Sequence, residues 1–376
     1  MDIRTQNFSP DEKNVNMLGI WFTNACNLNC SYCYIKEKSD KTIDVDLAVK
    51  LICKELTLGD VPLSIMFMGA ESLTHFKQLK EIVERVTDFK SERKVSFFIA
   101  TNGTLLTDEM KQWFEKNKET VSLGLSYDGD DESQDINRSN SSVNIDRDFF
   151  RNTWPAQPWK MTISEKTAPH VDIDIIALHE QGAQFTANVA YEDYMWSDES
   201  VLRYELALYR LADYYIKNPQ ISPCGLFVEI ESVLDNPEKV TQQCYCSAGN
   251  TMFFYDMSGI AYPCHMLSNL VLPESKTLKG KFFDKDTDYE DPRCKHCAVK
   301  HTCYSCLGAN YVHRGDIRLR DPLHCKLYQA NLKASVHMWV GLLKDKEAYS
   351  EREKRIINAS CKLMEAFRDG RIGMKN

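Results

Sequence analysis

A chain of 376 residues with 43% hydrophobic side chains is long enough to bury one barrel-sized core and a smaller second one. Its 46 basic and 54 acidic residues leave a net charge of −8, which gives no electrostatic grip on a phosphate backbone and argues against a nucleic-acid partner. No stretch approaches 18 consecutive apolar residues and residues 1–16 are mostly polar, so neither a membrane span nor a signal peptide is expected, and the cytoplasm is the expected compartment.

In chain order, short apolar runs alternate with helical patterns. Strands are predicted at 17–22, 63–68, 95–100, 121–126, 159–163 and 185–189. After the first, Asp44 can cap a helix whose Val49, Ile52, Cys53 and Leu56 make one apolar stripe. Leu79, Ile82, Val83 and Val86 mark a second helix, and Thr107 starts a third through Trp113 and Phe114. Six strand–helix units predict a parallel sheet with right-handed crossovers. Six are too few to close an eight-stranded barrel, so the expected fold is α/β, a partial (β/α)6 TIM-like barrel. Residues 137–158 are polar and read as an irregular connection enclosing a short helix around Phe149. Ser197 caps a helix with an apolar face of Tyr204, Leu208, Leu211 and Tyr215, which Asn218-Pro219 stops. The expected organisation is an N-terminal extension (1–16), the barrel (17–218), a cysteine-rich domain (219–328) and C-terminal helices (329–376).

Fourteen cysteines in a reducing compartment call for something other than disulfides. Cys53 and Cys361, each on an apolar helical stripe, read as small core residues. The others cluster. Cys26, Cys30 and Cys33 share one loop at Cys-x3-Cys-x2-Cys spacing, directly after the first strand. Three thiolates so placed can hold three irons of a [4Fe–4S] cluster and leave the fourth open to a ligand. Zinc sites favour paired Cys-x2-Cys knuckles instead.

At these residues the chain resembles the radical SAM enzymes. In that family the open iron chelates S-adenosylmethionine (SAM), and Tyr32 matches the aromatic residue that packs near the adenine. Gly69-Ala70-Glu71-Ser72 is similar to the family's Gly-Gly-Glu-Pro motif, departing at Ala70 and Ser72. Ala is a mild change there provided the position needs no positive φ. Thr101-Asn102-Gly103-Thr104 is close to its Thr-Asn-Gly-Thr turn. Ser126-Tyr127-Asp128-Gly129, with Asp135 and Arg138 following, resembles its Ser-x-Asp-Gly-Pro segment, with Asp130 in place of Pro and Gln134 in place of His. The resemblance implies SAM binding by Tyr32, Gly69, Ala70, Glu71, Asn102, Ser126 and Arg138, the last two at the SAM carboxylate.

Further along, Cys246-Ser-Ala-Gly, Gly259-x4-Cys264 and Cys294-x2-Cys297-x5-Cys303, with Cys306 and Cys325 beyond, resemble a SPASM domain. Taken alone, the paired spacings fit a zinc ribbon equally well. The resemblance implies two auxiliary [4Fe–4S] clusters: one on Cys294, Cys297, Cys303 and Cys325, the other on Cys246, Cys264 and Cys306 with Cys244 or Cys224 as fourth ligand. The implied cofactors are thus SAM and three [4Fe–4S] clusters.

The resemblance implies a peptide maturase that forms a carbon–carbon or thioether crosslink in a ribosomally made precursor, supplied with electrons by a flavodoxin or ferredoxin. The anaerobic sulfatase maturases, which oxidise Cys or Ser to formylglycine, are the second implied reading. They usually carry Asp after the cysteine of a Tyr-Pro-Cys segment, whereas Tyr262-Pro263-Cys264 is followed by His265. An imidazole can accept a proton near neutral pH, which makes His265 the candidate catalytic residue. A zinc-binding interaction module without activity is the third class. The stretch before Met17 is too short for an appended leader-binding domain, so precursor capture is expected to use the barrel, the cysteine-rich domain or a separate protein.

Overall fold

A computed structural model describes residues 5–7, 15–35, 37–191, 196–234, 246–283 and 289–375. A short strand β1 (Thr5–Asn7) comes first. It is followed by β2 (Met17–Thr23), α1 (Val45–Leu56), β3 (Leu63–Gly69), α2 (Phe76–Thr87), β4 (Val95–Thr101), α3 (Asp108–Asn117) and β5 (Val121–Leu125). Then come α4 (Asp131–Asn137), α5 (Arg147–Thr153), β6 (Trp159–Ile163), α6 (Val171–Glu180), β7 (Phe185–Val189) and α7 (Asp198–Lys217). All six predicted strands are present, as is the short helix around Phe149. The three predicted caps are made: Asp44, Thr107 and Ser197 accept from the backbone N–H of Leu47, Met110 and Ser200. Each such cap stabilises its helix by about 1 kcal/mol.

Strands β2 to β5 are hydrogen-bonded in parallel, β6 pairs in parallel with β7, and the two groups meet at the Ser126–Lys160 bridge. Alternation decides what faces the helices. Leu63, Ile65 and Phe67 of β3 and Trp159, Met161 and Ile163 of β6 are buried in one continuous core beneath the helical layer. Every strand's intervening residues therefore face the barrel interior. The loops at the carboxyl ends of the strands, where ligands gather in parallel sheets, carry the residues singled out from the sequence.

Beyond α7 the chain returns to the sheet. Strand β8 (Met252–Tyr255) pairs in parallel with the free edge of β2, Met17 opposite Met252, and β9 (Ala261–Tyr262) follows it antiparallel. This seventh parallel strand is not among those predicted, because four residues buried on both faces show no alternation. Next come β10 (Lys281–Phe283), antiparallel to β1, then α8 (Leu307–Arg314), α9 (Pro322–Leu343) and α10 (Glu351–Arg368). Helix α9 lies along α7, with the Tyr204 hydroxyl donating to Asn331 at 2.8 Å and Lys333 paired with Glu205. One expectation fails: Cys361 is exposed. The buried stripe of α10 is Ile356, Ala359, Leu363 and Ala366, which turns Cys361 and Met364 outward. Cys53 is half-buried. Among the described residues no helix is long and apolar enough to cross a membrane.

Candidate active site

The Cys26–Cys33 loop is held from three sides by backbone and side-chain hydrogen bonds. The Thr23 hydroxyl donates to Lys41 O at 2.9 Å and accepts from Ala25 N at 3.0 Å, which starts the turn out of β2. From the loop after β3, Ala70 N donates to Thr23 O and Glu71 N to Ala25 O. From the loop after β4, Asn102 Nδ2 donates to Asn27 Oδ1 at 3.0 Å, while Asn27 Nδ2 donates to Thr104. From the segment after β5, Ser139 Oγ accepts from Asn29 N and Asn137 O from Ser31 N, both at 2.9 Å. The three thiols are in no disulfide and are half-buried. Burial pushes up the Cys26 and Cys30 thiols. At Cys30 the Arg138 guanidinium opposes this, and Cys33 adds to the rise. The three sulfurs therefore feel one another.

Beneath the loop lies a buried charge network. Asp128, fully buried, accepts from Tyr32 Oη at 2.6 Å, Thr162 N at 2.8 Å and Asn137 Nδ2 at 3.1 Å. Arg138 donates to it through Nη2 at 3.2 Å, with Nε 3.0 Å from the other oxygen at an angle that makes an ion pair without a hydrogen bond. The guanidinium also lies 5.3 Å from the centre of the Tyr32 ring. Gln134, in the place of the family's His, accepts from Asp128 N and donates to Ser141. Sequence reasoning assigned no role to Asp128 or Asn137.

The other expected SAM residues divide. Gly69 has φ +145, and a Cβ there would stand 2.4 Å from Thr23 O, so β2 and β3 come this close only because the position is glycine. Ala70 is not among the positive-φ residues and is accommodated. Glu71 is buried and accepts from Asn102 N at 2.7 Å, Thr101 Oγ1 at 2.9 Å and Leu73 N at 3.1 Å, clasping two loops together. Burial nonetheless raises its pKa against those donors. Ser126 stands at the carboxyl end of β5, bridged to Lys160.

The later cysteines form two groups. Cys294, Cys297, Cys303 and Cys325 line a single cavity together with Arg320, His324 and Tyr328. Burial lifts the Cys294 thiol to about 11 and that of Cys303 to about 12, with the neighbouring thiols adding to both. Gln329 Nε2 donates to Cys325 Sγ at 3.4 Å and Gly373 N to Cys297 Sγ at 3.5 Å, two N–H···S contacts not foreseen from spacing. In the second group, burial raises the Cys264 thiol and nearby Cys306 and Cys246 raise it further. Cys306 Sγ also caps α8 through Ala309 N. Cys224 lies apart, buried in the barrel core beside Tyr204 and Tyr215, and Cys244 lies outside the described residues. Among the described residues, no three or more His, Cys, Asp or Glu side chains gather tightly enough for a single metal ion.

His265 joins this half to the first. Its ring stacks on Trp21 at 6.2 Å and lies 5.4 Å from the Tyr34 ring, next to Cys33, while its Nδ1 is 3.6 Å from Cys264 Sγ. Burial first, and the Lys160 ammonium second, hold its pKa down to about 4.

Residues 20–147, which contain every strand-end loop described above up to Arg138, match the model of the Radical SAM superfamily. The chain carries a radical SAM domain. An uncharacterized protein of Methanocaldococcus jannaschii is 38% identical over 108 residues, 28% of this chain and 36% of that protein. The radical SAM cyclopropyl synthase TigE of Paramaledivibacter caminithermalis is 22% identical over 349 residues, 82% of this chain and 71% of TigE. A serine-type anaerobic sulfatase-maturating enzyme of Bacteroides thetaiotaomicron is 33% identical over 125 residues, 31% of this chain and 30% of that enzyme. The chain thus spans well under half of the first and third relatives. Among solved structures, native anSMEcpe with bound AdoMet superposes at TM-score 0.65 with 18% identity, over 92% of this chain and 99% of its own. Streptococcus suis SuiB bound to precursor peptide SuiA does so at 0.57 with 16% identity, over 83% and 76%. These likenesses establish the fold. The radical SAM family implies SAM and a [4Fe–4S] cluster, and three half-buried thiols on one braced loop suit a cluster by their chemistry.

Proposed function

We propose that this chain is a cytoplasmic radical SAM maturase that acts on a side chain of a peptide, forming a carbon–carbon or thioether crosslink. When bound, cluster and SAM together supply a 5′-deoxyadenosyl radical able to take a hydrogen atom from an unactivated C–H bond. The protein's own residues bind and orient. Asp128 and Arg138 fix Tyr32 and the cysteine loop, and Gly69 lets the loop after β3 close on it. Tyr32, Gly69, Ala70, Glu71, Asn102, Ser126 and Arg138 form the SAM site, with Glu71, Asn102 and Arg138 acting largely as braces, because their polar atoms bond to protein.

The observation that carries the reading is the approach of the later cysteines to the first loop: His265, beside Cys264, packs on Tyr34, beside Cys33. A second thiol group next to the radical site suits an enzyme whose product must lose a second electron. Cys294, Cys297, Cys303 and Cys325 would hold one auxiliary [4Fe–4S] cluster around their shared cavity, and Cys246, Cys264 and Cys306 the other, as in a SPASM domain. With Cys224 in the core, Cys244 is the better fourth ligand. The Nδ1–Sγ contact favours His265 as a hydrogen-bond donor to Cys264 over a free base. A relative named as a cyclopropyl synthase and a neighbour solved with a precursor peptide support peptide as substrate. Sulfatase maturation is the second reading, favoured by the relatives of that name and opposed by His265 in place of Asp.

The test is anaerobic incubation of reconstituted protein with SAM, a reductant and the peptides encoded beside its gene. Formation of 5′-deoxyadenosine with a mass loss of two hydrogens in one peptide supports the proposal. Formylglycine formation in a sulfatase peptide instead would overturn it.

A further inference from the structure

The cavity shared by Cys294, Cys297, Cys303 and Cys325 is closed by residues that bring no thiol. One group of them follows α10. Ala298 N donates to Arg371 O at 2.9 Å and Lys375 N to Arg293 O at 3.0 Å, which lays residues 371–375 along the Cys294–Cys297 turn. Between these two anchors Gly373 N donates to Cys297 Sγ at 3.5 Å. Gly373 holds φ +124, a conformation that glycine adopts without the strain a side chain would bring. On the α9 side Gln329 stands one turn beyond Cys325 and donates through Nε2 to its Sγ at 3.4 Å.

The third contributor is Arg320, just before α9, which lines the same cavity and is 8% exposed. Its Nη1 donates to Cys303 O at 2.7 Å, so the guanidinium lies against the backbone of one of the four cysteines. Among the described residues no carboxylate stands within ion-pair distance of that guanidinium. Asp291 accepts from the Arg320 backbone N, but its carboxylate is paired with Arg293. Burying a guanidinium with no counter-ion is costly, and four thiolates around the cavity are the negative charge that meets it. An iron–sulfur cluster on four thiolates is anionic, and it gains a further negative charge when reduced. In a buried site a fixed cation and N–H donors to sulfur stabilise the more negative form.

We propose that Arg320 is the buried counter-charge of an iron–sulfur cluster held by Cys294, Cys297, Cys303 and Cys325. With the Gln329 amide and the Gly373 N–H it favours the one-electron-reduced state of that cluster. This rests on the auxiliary-cluster reading given above. The guanidinium acts through its charge, whereas the two N–H groups act through single hydrogen bonds and weigh less.

Anaerobically reconstituted holoenzyme is analysed for iron and zinc, then reduced stepwise with dithionite while electron paramagnetic resonance follows each cluster. Arg320→Gln keeps an N–H for Cys303 O and loses the charge; Arg320→Lys keeps the charge. In Arg320→Gln one midpoint potential should fall by about 59 mV or more, a tenfold change in its reduction equilibrium. Arg320→Lys should hold that midpoint within about threefold of the parent. Gln329→Leu should lower the same midpoint by about threefold, and the other midpoints should stay where they are. A midpoint unmoved in Arg320→Gln, moved equally in Arg320→Lys, or different from the one that Gln329→Leu moves would overturn the proposal. Where Arg320→Gln assembles one cluster fewer, full assembly in Arg320→Lys supports the need for the charge, and equal loss overturns it. Failure of the cluster reading shows separately, before any titration, as zinc in place of iron in the parent, and it takes the proposal with it.

Discussion

The two cysteine-bearing regions hold their sulfurs in different ways. Cys26, Cys30 and Cys33 sit on a loop braced by three neighbouring loops and by the buried Asp128–Arg138 pair, all within the protein's own hydrogen bonding. The later cysteines sit among short turns, His265–Leu267, Glu274–Lys276 and Pro292–Cys294, and a two-residue strand, with four of them facing a common cavity. The first site is preformed by the barrel. Among the described residues the second has no long element of its own between β8 and α8, so on the proposed reading a group bound by its cysteines would complete it. A metal-binding energy that organises one region should hardly register in the other.

The largest effect that can break this contrast is removal of iron. Chelation under anaerobic conditions should abolish hydrogen-exchange protection across residues 289–306 and leave it intact in β2 to β5, because structural metal sites supply on the order of 10 kcal/mol of folding energy where no other framework exists. Equal loss in both regions would erase the distinction. Next is Asp128→Asn. Leaving Arg138 buried without its counter-charge should cost about 3–5 kcal/mol in urea unfolding. A loss under 1 kcal/mol would mean that the pair does not brace the loop.

A third effect depends on pH. Asp174 is buried behind the turn after Asp128, accepting from Asp130 N and Ser133 Oγ, and burial, the largest cause, raises its pKa to about 8. The folded value lies above the unfolded one, near 3.9, so its contribution is fully present below about pH 4 and is lost as pH rises towards 8, by a few kcal/mol. Asp174→Asn should flatten that slope between pH 5 and 8; an unchanged slope would place the titration elsewhere. The smallest effect belongs to His265→Ala. Loss of one hydrogen bond to Cys264 should lower the potential of the attached cluster by roughly 60 mV, read in an electron-paramagnetic-resonance redox titration. No change would leave His265 as packing for Trp21 and Tyr34.

What could be read from the sequence was whatever depends on neighbours in the chain. The six strands and the caps at Asp44, Thr107 and Ser197 follow from alternation and from oxygens placed three residues ahead of an N–H. The Cys26–Cys33 spacing pointed to the radical SAM family, which the match over residues 20–147 bears out. What escaped depends on distant partners. Asp128 meets Tyr32 on the cysteine loop, Thr162 on β6 and Arg138 at the end of α4, and nothing local to Asp128 announces that. Strand β8 is defined by the edge of β2 that it covers, more than 230 positions earlier in the chain. Cys361 shows the opposite error, where a plausible stripe with Ile357 and Met364 was one position away from the face that packs.

The most direct test of the central claim is the iron content of the anaerobically reconstituted parent and of the Cys26→Ala, Cys30→Ala, Cys33→Ala triple variant, measured beside 5′-deoxyadenosine formation. Three clusters predict about twelve irons in the parent and about eight in the variant, which should keep its auxiliary clusters and make no 5′-deoxyadenosine. A parent holding about four irons together with zinc would make the later cysteines a zinc ribbon. A variant that still cleaves SAM would contradict the account at its root.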